Sequence, residues 1–271
     1  MAPKIDPQNL RETFGRFRVL IVGRANAGKT TILQKVCNTT DKPEIYDAKG
    51  RKIGVCTICP MSMHALMDAQ RGNHEITNEM VFKSNPGFVF HDSCGFEAGS
   101  EKEFEEMKKF ISERANATKL EERLHAIWYC FPMDDHSRTF QRSEEKFFSE
   151  CNTGNVPIIA VFTKCDALHP VALGELENEF IGLSDEEYLK RIPKCVKELI
   201  NKTRVCVELR RLNNLARPKA EVYLENMDEP NTNCDTLVER TAFALDDEEL
   251  QLCLVSTQQS NLELCIKCAV G

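Results

Sequence analysis

The chain has 271 residues, with 35 Lys and Arg against 42 Asp and Glu, for a formal net charge of −7. That length allows one large domain or two small ones, and 42% apolar with 28% charged residues and a mean hydropathy of −0.37 exclude a disordered or fibrous chain. The acidic balance argues against a general nucleic-acid binder, and no run reaches the roughly 18 apolar residues of a membrane span.

The opening Met1-Ala2-Pro3-Lys4-Ile5-Asp6 lacks the apolar centre of a secretory leader, and Ala2 replaces the glycine that myristoylation requires. Thirteen cysteines, an odd number, do not make a disulfide scaffold in a chain this long. Several lie in apolar runs (Cys130, Cys253), so a reducing, cytoplasmic compartment is expected. The pairs Cys56/Cys59 and Cys265/Cys268 are far apart in sequence and are read as ordinary thiols rather than a zinc site. The ending Cys268-Ala269-Val270-Gly271 fits a prenylation box only formally, with no basic run before it.

Residues 1–14 are an N-terminal extension, and one α/β domain is expected over 15–271. Phe17 to Val22, Phe88 to Phe90, His125 to Phe131, Val156 to Phe162 and Leu250 to Val255 are short and mostly apolar, as strands buried on both faces of a parallel sheet are. Ile76 to Phe82 alternates apolar and polar residues and is followed by Asn85-Pro86-Gly87, a hairpin signal that adds one antiparallel edge strand. Glu101 to Leu124 carries Phe104, Met107, Phe110 and Ile111 at helical spacing, and Ser143 to Glu150 is a shorter helix. Residues 167–249 form an insert. Ser184-Asp185-Glu186-Glu187 is a capping box, Pro193 starts a helix at Cys195 to Leu215, Ala220 to Leu224 is an extra strand and Cys234 to Leu245 a helix. Lys194 to Lys219 holds eight basic and two acidic residues, and Glu221 to Glu249 ten acidic and one basic; the basic part could face an anionic partner, but is read first as a solvated helix face that could pair with its acidic neighbour. The fold class is therefore a three-layer, doubly wound, mostly parallel sheet of six strands, with one antiparallel edge strand and a helical insert.

Gly23-Arg24-Ala25-Asn26-Ala27-Gly28-Lys29-Thr30 matches the phosphate-loop pattern G-x-x-x-x-G-K-[ST], between an apolar strand and the helix Thr31 to Cys37. Small residues let backbone N–H groups curl around phosphates at a helix N-terminus, so Gly23, Asn26, Ala27, Gly28, Lys29, Thr30 and Thr31 are the candidate phosphate ligands. Lys29 would reach the β- and γ-phosphates and Thr30 would bind Mg²⁺. Asp92-Ser93-Cys94-Gly95 ends the strand at Phe90. Asp92 would face the Mg²⁺ edge, and the Gly95 N–H would approach the γ-phosphate beside catalytic Lys29. Thr163-Lys164-Cys165-Asp166 is the [NT]-K-x-D pattern, in which a carboxylate accepts two hydrogen bonds from guanine and the Lys stem covers the base. Ser256-Thr257-Gln258 follows Leu250 to Val255, where a last base-contacting loop is expected.

This order of motifs resembles P-loop GTPases (G domains) of the translation-factor-related class. The first loop is similar to the Era-like G-x-P-N-x-G-K-[ST], with Ala25 in place of Pro. Asp92-Ser93-Cys94-Gly95-Phe96 is similar to septins, GIMAP proteins and chloroplast import receptors, which carry a hydrophobic residue after D-x-x-G. His125 to Cys130 and Ser256 to Leu264 resemble a group of fungal G-domain proteins. The resemblance implies binding of GTP and GDP with Mg²⁺ and hydrolysis of GTP. The hydrolysis it implies is slow, because Phe96 stands where Ras-like enzymes have the Gln that orients water. It implies help from a homodimer partner across the nucleotide face or from Glu97 or Arg138, and Asn26 stands where K⁺-stimulated relatives hold a K⁺-binding Asn. No nucleic-acid partner is expected.

The switch threonine that would complete Mg²⁺ binding is not assigned among Thr39, Thr40, Thr57, Ser62, Thr77 and Ser84; Gln70 stands near its expected position. All six histidines are read as structural or surface residues. Two other readings stay open, a nucleotide-gated interaction module with little catalysis and a P-loop ATPase or small-molecule kinase. The short last helix, Asn261 to Val270, suggests a G domain taken from a longer chain.

Overall fold

The computed structural model describes residues 15–54, 75–93, 101–135, 140–179, 184–211 and 215–257. Strands β1 (Phe17–Gly23), β2 (Glu44–Tyr46), β3 (Lys52–Gly54), β4 (Glu79–Phe82), β5 (Asn85–Asp92), β6 (Ala126–Pro132), β7 (Ile158–Thr163) and β8 (Ala220–Tyr223) form one sheet in the order β3-β2-β4-β5-β1-β6-β7-β8. The five strands from β5 to β8 are parallel, and β4, β2 and β3 continue the sheet antiparallel on one side. Eight described helices cover the faces: α1 (Lys29–Val36), α2 (Glu101–Ala115), α3 (Arg142–Glu150), α4 (His169–Glu179), α5 (Asp185–Lys202), α6 (Arg204–Arg211), α7 (Asp235–Ala244) and α8 (Glu248–Thr257).

Alternation along β1 shows why the sheet must be covered twice. Leu20 and Val22 pack with Phe104, Phe110, Phe147, Leu176 and Ile200, the face of α2 to α6. Val19 and Ile21 pack with Ile32, Leu33, Leu237, Val238 and Leu254, the face of α1, α7 and α8. A run buried on both sides is what a central parallel strand requires, and the expected three-layer, doubly wound class holds.

Four expectations are corrected. Leu250 to Val255 is not a strand but the middle of α8, and β8, which pairs in parallel with β7, is the sixth strand of the set. The sheet has eight strands because Glu44–Tyr46 and Lys52–Gly54 add a short hairpin, too short for periodicity to reveal. Asn85-Pro86-Gly87 is not the turn but the start of β5, Phe82 pairing with Asn85 across a two-residue connection. Pro193 does not open a helix. The helix capped by Ser184 and Glu187 runs through it to Lys202, giving up one hydrogen bond while Cys195, Val196 and Ile200 bury themselves against the sheet.

Around Arg18, at the start of β1, two buried histidines have fixed tautomers. The Arg18 guanidinium donates to His91 Nε2 at 2.8 Å, so Nδ1–H donates to the Ile76 carbonyl at 2.9 Å. His125 is the reverse, with Nδ1 accepting from the Arg18 N–H at 3.0 Å and Nε2–H donating to the Leu120 carbonyl at 2.9 Å. Burial lowers His91 to about 3 and His125 to about 4, from 6.5. The unfolded chain takes up these protons and the folded one does not, so stability is present above pH 6.5 and lost as the pH falls through that value toward the folded pKa. A urea midpoint that falls between about pH 7 and about pH 5, before most carboxylates titrate, is the expected result. A flat profile over that range contradicts it.

Candidate functional site

The parallel strands end together along one edge, where a doubly wound sheet collects its ligand-binding loops. β1 ends at Gly23, whose φ of +151° and position against β6 exclude a side chain: an added Cβ would lie 2.6 Å from the Cys130 carbonyl oxygen. Asn26 takes the left-handed conformation (φ +59°) at the exposed tip, and Ala27 is buried. Gly28, left-handed at φ +76°, caps α1 without a side-chain hydrogen bond, and the first turn of α1 holds no acidic residue. The N–H groups of Lys29, Thr30 and Thr31 therefore open toward the loop with the positive end of the helix dipole behind them, the arrangement that suits a phosphate.

The Lys29 ammonium donates to the carbonyls of Gly23 (2.8 Å) and Arg24 (3.2 Å) and lies 3.8 Å from Asp92 Oδ1. Asp92 closes β5 in register with Ile21, and its side chain is only 5% exposed. One cation and one buried carboxylate thus meet at the mouth of the phosphate loop. Next to them the Cys130 thiol is raised to about 12 by burial, so it stays protonated and adds no charge.

β7 brings the third motif. The buried Thr163 hydroxyl donates to the Ala27 carbonyl at 3.0 Å, tying the [NT]-K-x-D segment directly to the phosphate loop. Lys164 is left-handed (φ +55°), and its ammonium bonds Asp134 Oδ2 at 2.6 Å at the end of β6. Asp166 lies in a short 3-10 turn, Cys165–Leu168, and its Oδ1 accepts the Asn226 N–H at 2.9 Å.

That last contact corrects one reading. Ser256 and Thr257 were expected at the end of a strand beside the base, but they end α8, with hydroxyls bonded back to the carbonyls of Cys253 and Leu254. Thr257 packs against Gly87 and its carbonyl accepts from Asn85, at the opposite end of β5, about 20 Å from the phosphate edge at roughly 3.3 Å per residue. Burial of Ser256 and Thr257 within 2% exposure serves α8 packing. The loop beside Asp166 is instead the one after β8: Leu224 accepts the Cys165 N–H at 3.0 Å, and Asn226, left-handed at φ +51°, donates to the carboxylate. Glu225, Asn226 and Met227 carry no side-chain pattern, so sequence reasoning missed them. It also missed Glu144, a polar residue without a local motif, and the contact of Asp134 with Lys164.

Gly95, Phe96, Glu97, Arg138 and Gln258, together with Thr57, Ser62, Gln70, both Cys-x-x-Cys pairs and the segment Asn261 to Val270, lie outside the described residues. Among the described residues no three His, Cys, Asp or Glu side chains gather as metal ligands. Among the motif residues the Thr30 hydroxyl and the Asp92 carboxylate are hard oxygen donors, a pair that suits a Mg²⁺ completed by phosphate and water rather than a metal caged by protein alone.

No family model matches the sequence, and no curated protein matches it. Among solved structures, the chain is similar to a point variant of Aquifex aeolicus Era bound to GDP.AlF4−, with 16% identity over 85% of this chain and 57% of that one and a TM-score of 0.42. It is also similar to an ADP-ribosylation-factor-like GTP-binding protein, the small COPII coat GTPase Sar1 from Encephalitozoon cuniculi in complex with GDP, with 11% identity over 95% and 87% of the two chains and a TM-score of 0.39. The chain spans little more than half the length of the Era chain.

Proposed function

We propose that this chain is a G domain that binds GTP and GDP with Mg²⁺ and hydrolyses GTP slowly. The observation that carries the reading is the meeting of three separate motifs at one sheet edge. Lys29 stands 3.8 Å from Asp92, and Thr163 is bonded to Ala27 within the phosphate loop. In this reading the amides of residues 26–31 hold the phosphates, and Lys29 stabilises the charge of the transferring phosphoryl group. Thr30 and Asp92 would hold Mg²⁺, which when bound neutralises phosphate charge. The Asp166 carboxylate, already held by the Asn226 N–H, has acceptor capacity left for the donor pair of guanine, which adenine lacks. Phe96 in place of a water-orienting Gln supports slow turnover and also favours the second reading, a nucleotide-gated module whose output is pairing with a second copy across the nucleotide face. Eight described cysteines are buried thiols outside any disulfide, which supports a reducing compartment, and no described helix is long and apolar enough to cross a membrane.

A titration with fluorescent GDP, GTP and ATP analogues, on wild type and Asp166→Asn, tests the reading. Wild type is expected to prefer guanine, and the variant to lose about 100-fold in guanine affinity, as two hydrogen bonds to a charged acceptor are worth about 3 kcal/mol. Xanthine affinity is expected to rise. ATP bound as tightly as GTP, with no response to the substitution, would favour the ATPase or kinase reading.

A further inference from the structure

Arg24, the first variable residue of the phosphate loop, does not point its charge into the loop. Its guanidinium is buried against Glu144 of α3 in a two-bond fork, Nε to Oε1 at 2.8 Å and a terminal NH₂ to Oε2 at 2.9 Å, with the side chains 6% and 2% exposed. The same Glu144 carboxylate accepts the Gln141 N–H at 2.8 Å, the backbone amide that opens α3. The pair lies in an apolar layer, beside the buried Tyr129 ring, whose centroid is 4.8 Å from those of Phe147 and Phe148.

We propose that Arg24 and Glu144 are positioning residues that lock the phosphate loop to α3. Resting on the nucleotide-binding reading, the inference assigns them an orienting role and no contact with nucleotide. A buried ion pair rarely adds stability over apolar side chains of similar volume, because desolvation offsets the attraction. What it does add is geometry. A guanidinium fork held at two oxygens fixes the Arg24 backbone, and the Arg24 carbonyl is the acceptor for both the Ala27 N–H that turns the loop (3.2 Å) and the Lys29 ammonium (3.2 Å). Order in the loop and the aim of Lys29 thus depend on a contact 120 residues away in sequence.

The test uses the double variant Arg24→Met with Glu144→Leu, which removes both charges and keeps the volume, together with Glu144→Gln and Arg24→Lys. Hydrogen exchange of the nucleotide-free chain over residues 23–33 is expected to be about tenfold faster in the double variant, with the exchange of β6 and β7 unchanged. GDP affinity is expected to fall about tenfold. Arg24→Lys, which keeps the charge but not the fork, is expected to fall between. A folded double variant with wild-type loop exchange and wild-type GDP affinity overturns the proposal. Should the double variant fail to fold, Glu144→Gln decides: faster exchange confined to residues 23–33 supports the proposal, and acceleration spread evenly over the chain overturns it. A wild type that binds no GDP, in which the double variant still loosens the loop, removes the nucleotide reading and leaves the positioning role standing.

Discussion

Lys29→Ala is expected to reduce GTP affinity by about 100-fold or more and to leave no measurable GTP turnover. The ammonium stands at the mouth of the loop, between the carbonyls of Gly23 and Arg24 and the carboxylate of Asp92. It is the one lysine of the loop, and moving from those carbonyls onto β- and γ-phosphate oxygens exchanges neutral acceptors for anionic ones. Charge-assisted bonds are worth about 1.5–3 kcal/mol each, and two of them at the lower value already amount to roughly a hundredfold in affinity. In the proposed mechanism turnover should fall further than binding, because the phosphoryl charge developing during transfer would be met by the same cation. Isothermal titration with a non-hydrolysable GTP analogue, paired with phosphate release, measures both effects. Thermal melting of the variant separates a lost contact from a lost fold. Turnover retained at the wild-type rate would remove Lys29 from the mechanism and with it the assignment of this loop.

Gly23→Ala is expected to act on the fold itself. The added methyl would lie 2.6 Å from the Cys130 carbonyl oxygen and 2.9 Å from its Cβ, both on the neighbouring central strand, in a backbone conformation that residues with a side chain rarely adopt. Neither contact is the end of a flexible side chain, so β1 and β6 would have to separate at this point. Overpacking and backbone strain together cost about 3 kcal/mol, roughly 6–12 °C in melting temperature for a chain of this size. Gly174, in α4 with nothing within 4 Å of an added Cβ, is the control. Gly174→Ala should be neutral or stabilise by up to about 1 kcal/mol through helix propensity. Equal melting temperatures for the two variants would show that the approach of β1 to β6 is not what requires glycine at residue 23.

How much of this was legible in the sequence depended on whether the cause was local. The phosphate loop could be read because most of its requirements rest on nearby residues: a left-handed Gly28, a cation at Lys29 and a helix to follow. Asp92 and Asp166 could be read because each follows directly on a buried strand. The capping box at Ser184 and Glu187 could be read for the same reason, both hydrogen bonds closing within four residues.

Short apolar runs were another matter. Leu250 to Val255 carries no periodicity long enough to separate strand from buried helix, whereas Ala220 to Leu224 reads as the strand that it is. The first is helical because its residues fill the face of β1 and β5, where Val255 and Thr257 are enclosed. The second is a strand because β7 offers it a parallel edge. That exchange moved the loop beside Asp166 from Ser256-Thr257-Gln258 to the residues after Leu224, a shift that only the packing of the sheet could produce. The Arg24–Glu144 fork was hidden in the same way, its two halves 120 residues apart with no pattern linking them.

By itself, then, the amino-acid sequence determined the layered class of this protein, its phosphate loop, and the carboxylates Asp92 at the end of β5 and Asp166 in the turn after β7, because backbone conformation and strand burial are dictated by neighbouring residues. The tertiary structure alone decided which run completes the sheet, which loop meets Asp166 and what holds Arg24. Those choices turn on which surfaces bury each other, and burial is a property of elements brought together from distant parts of the chain.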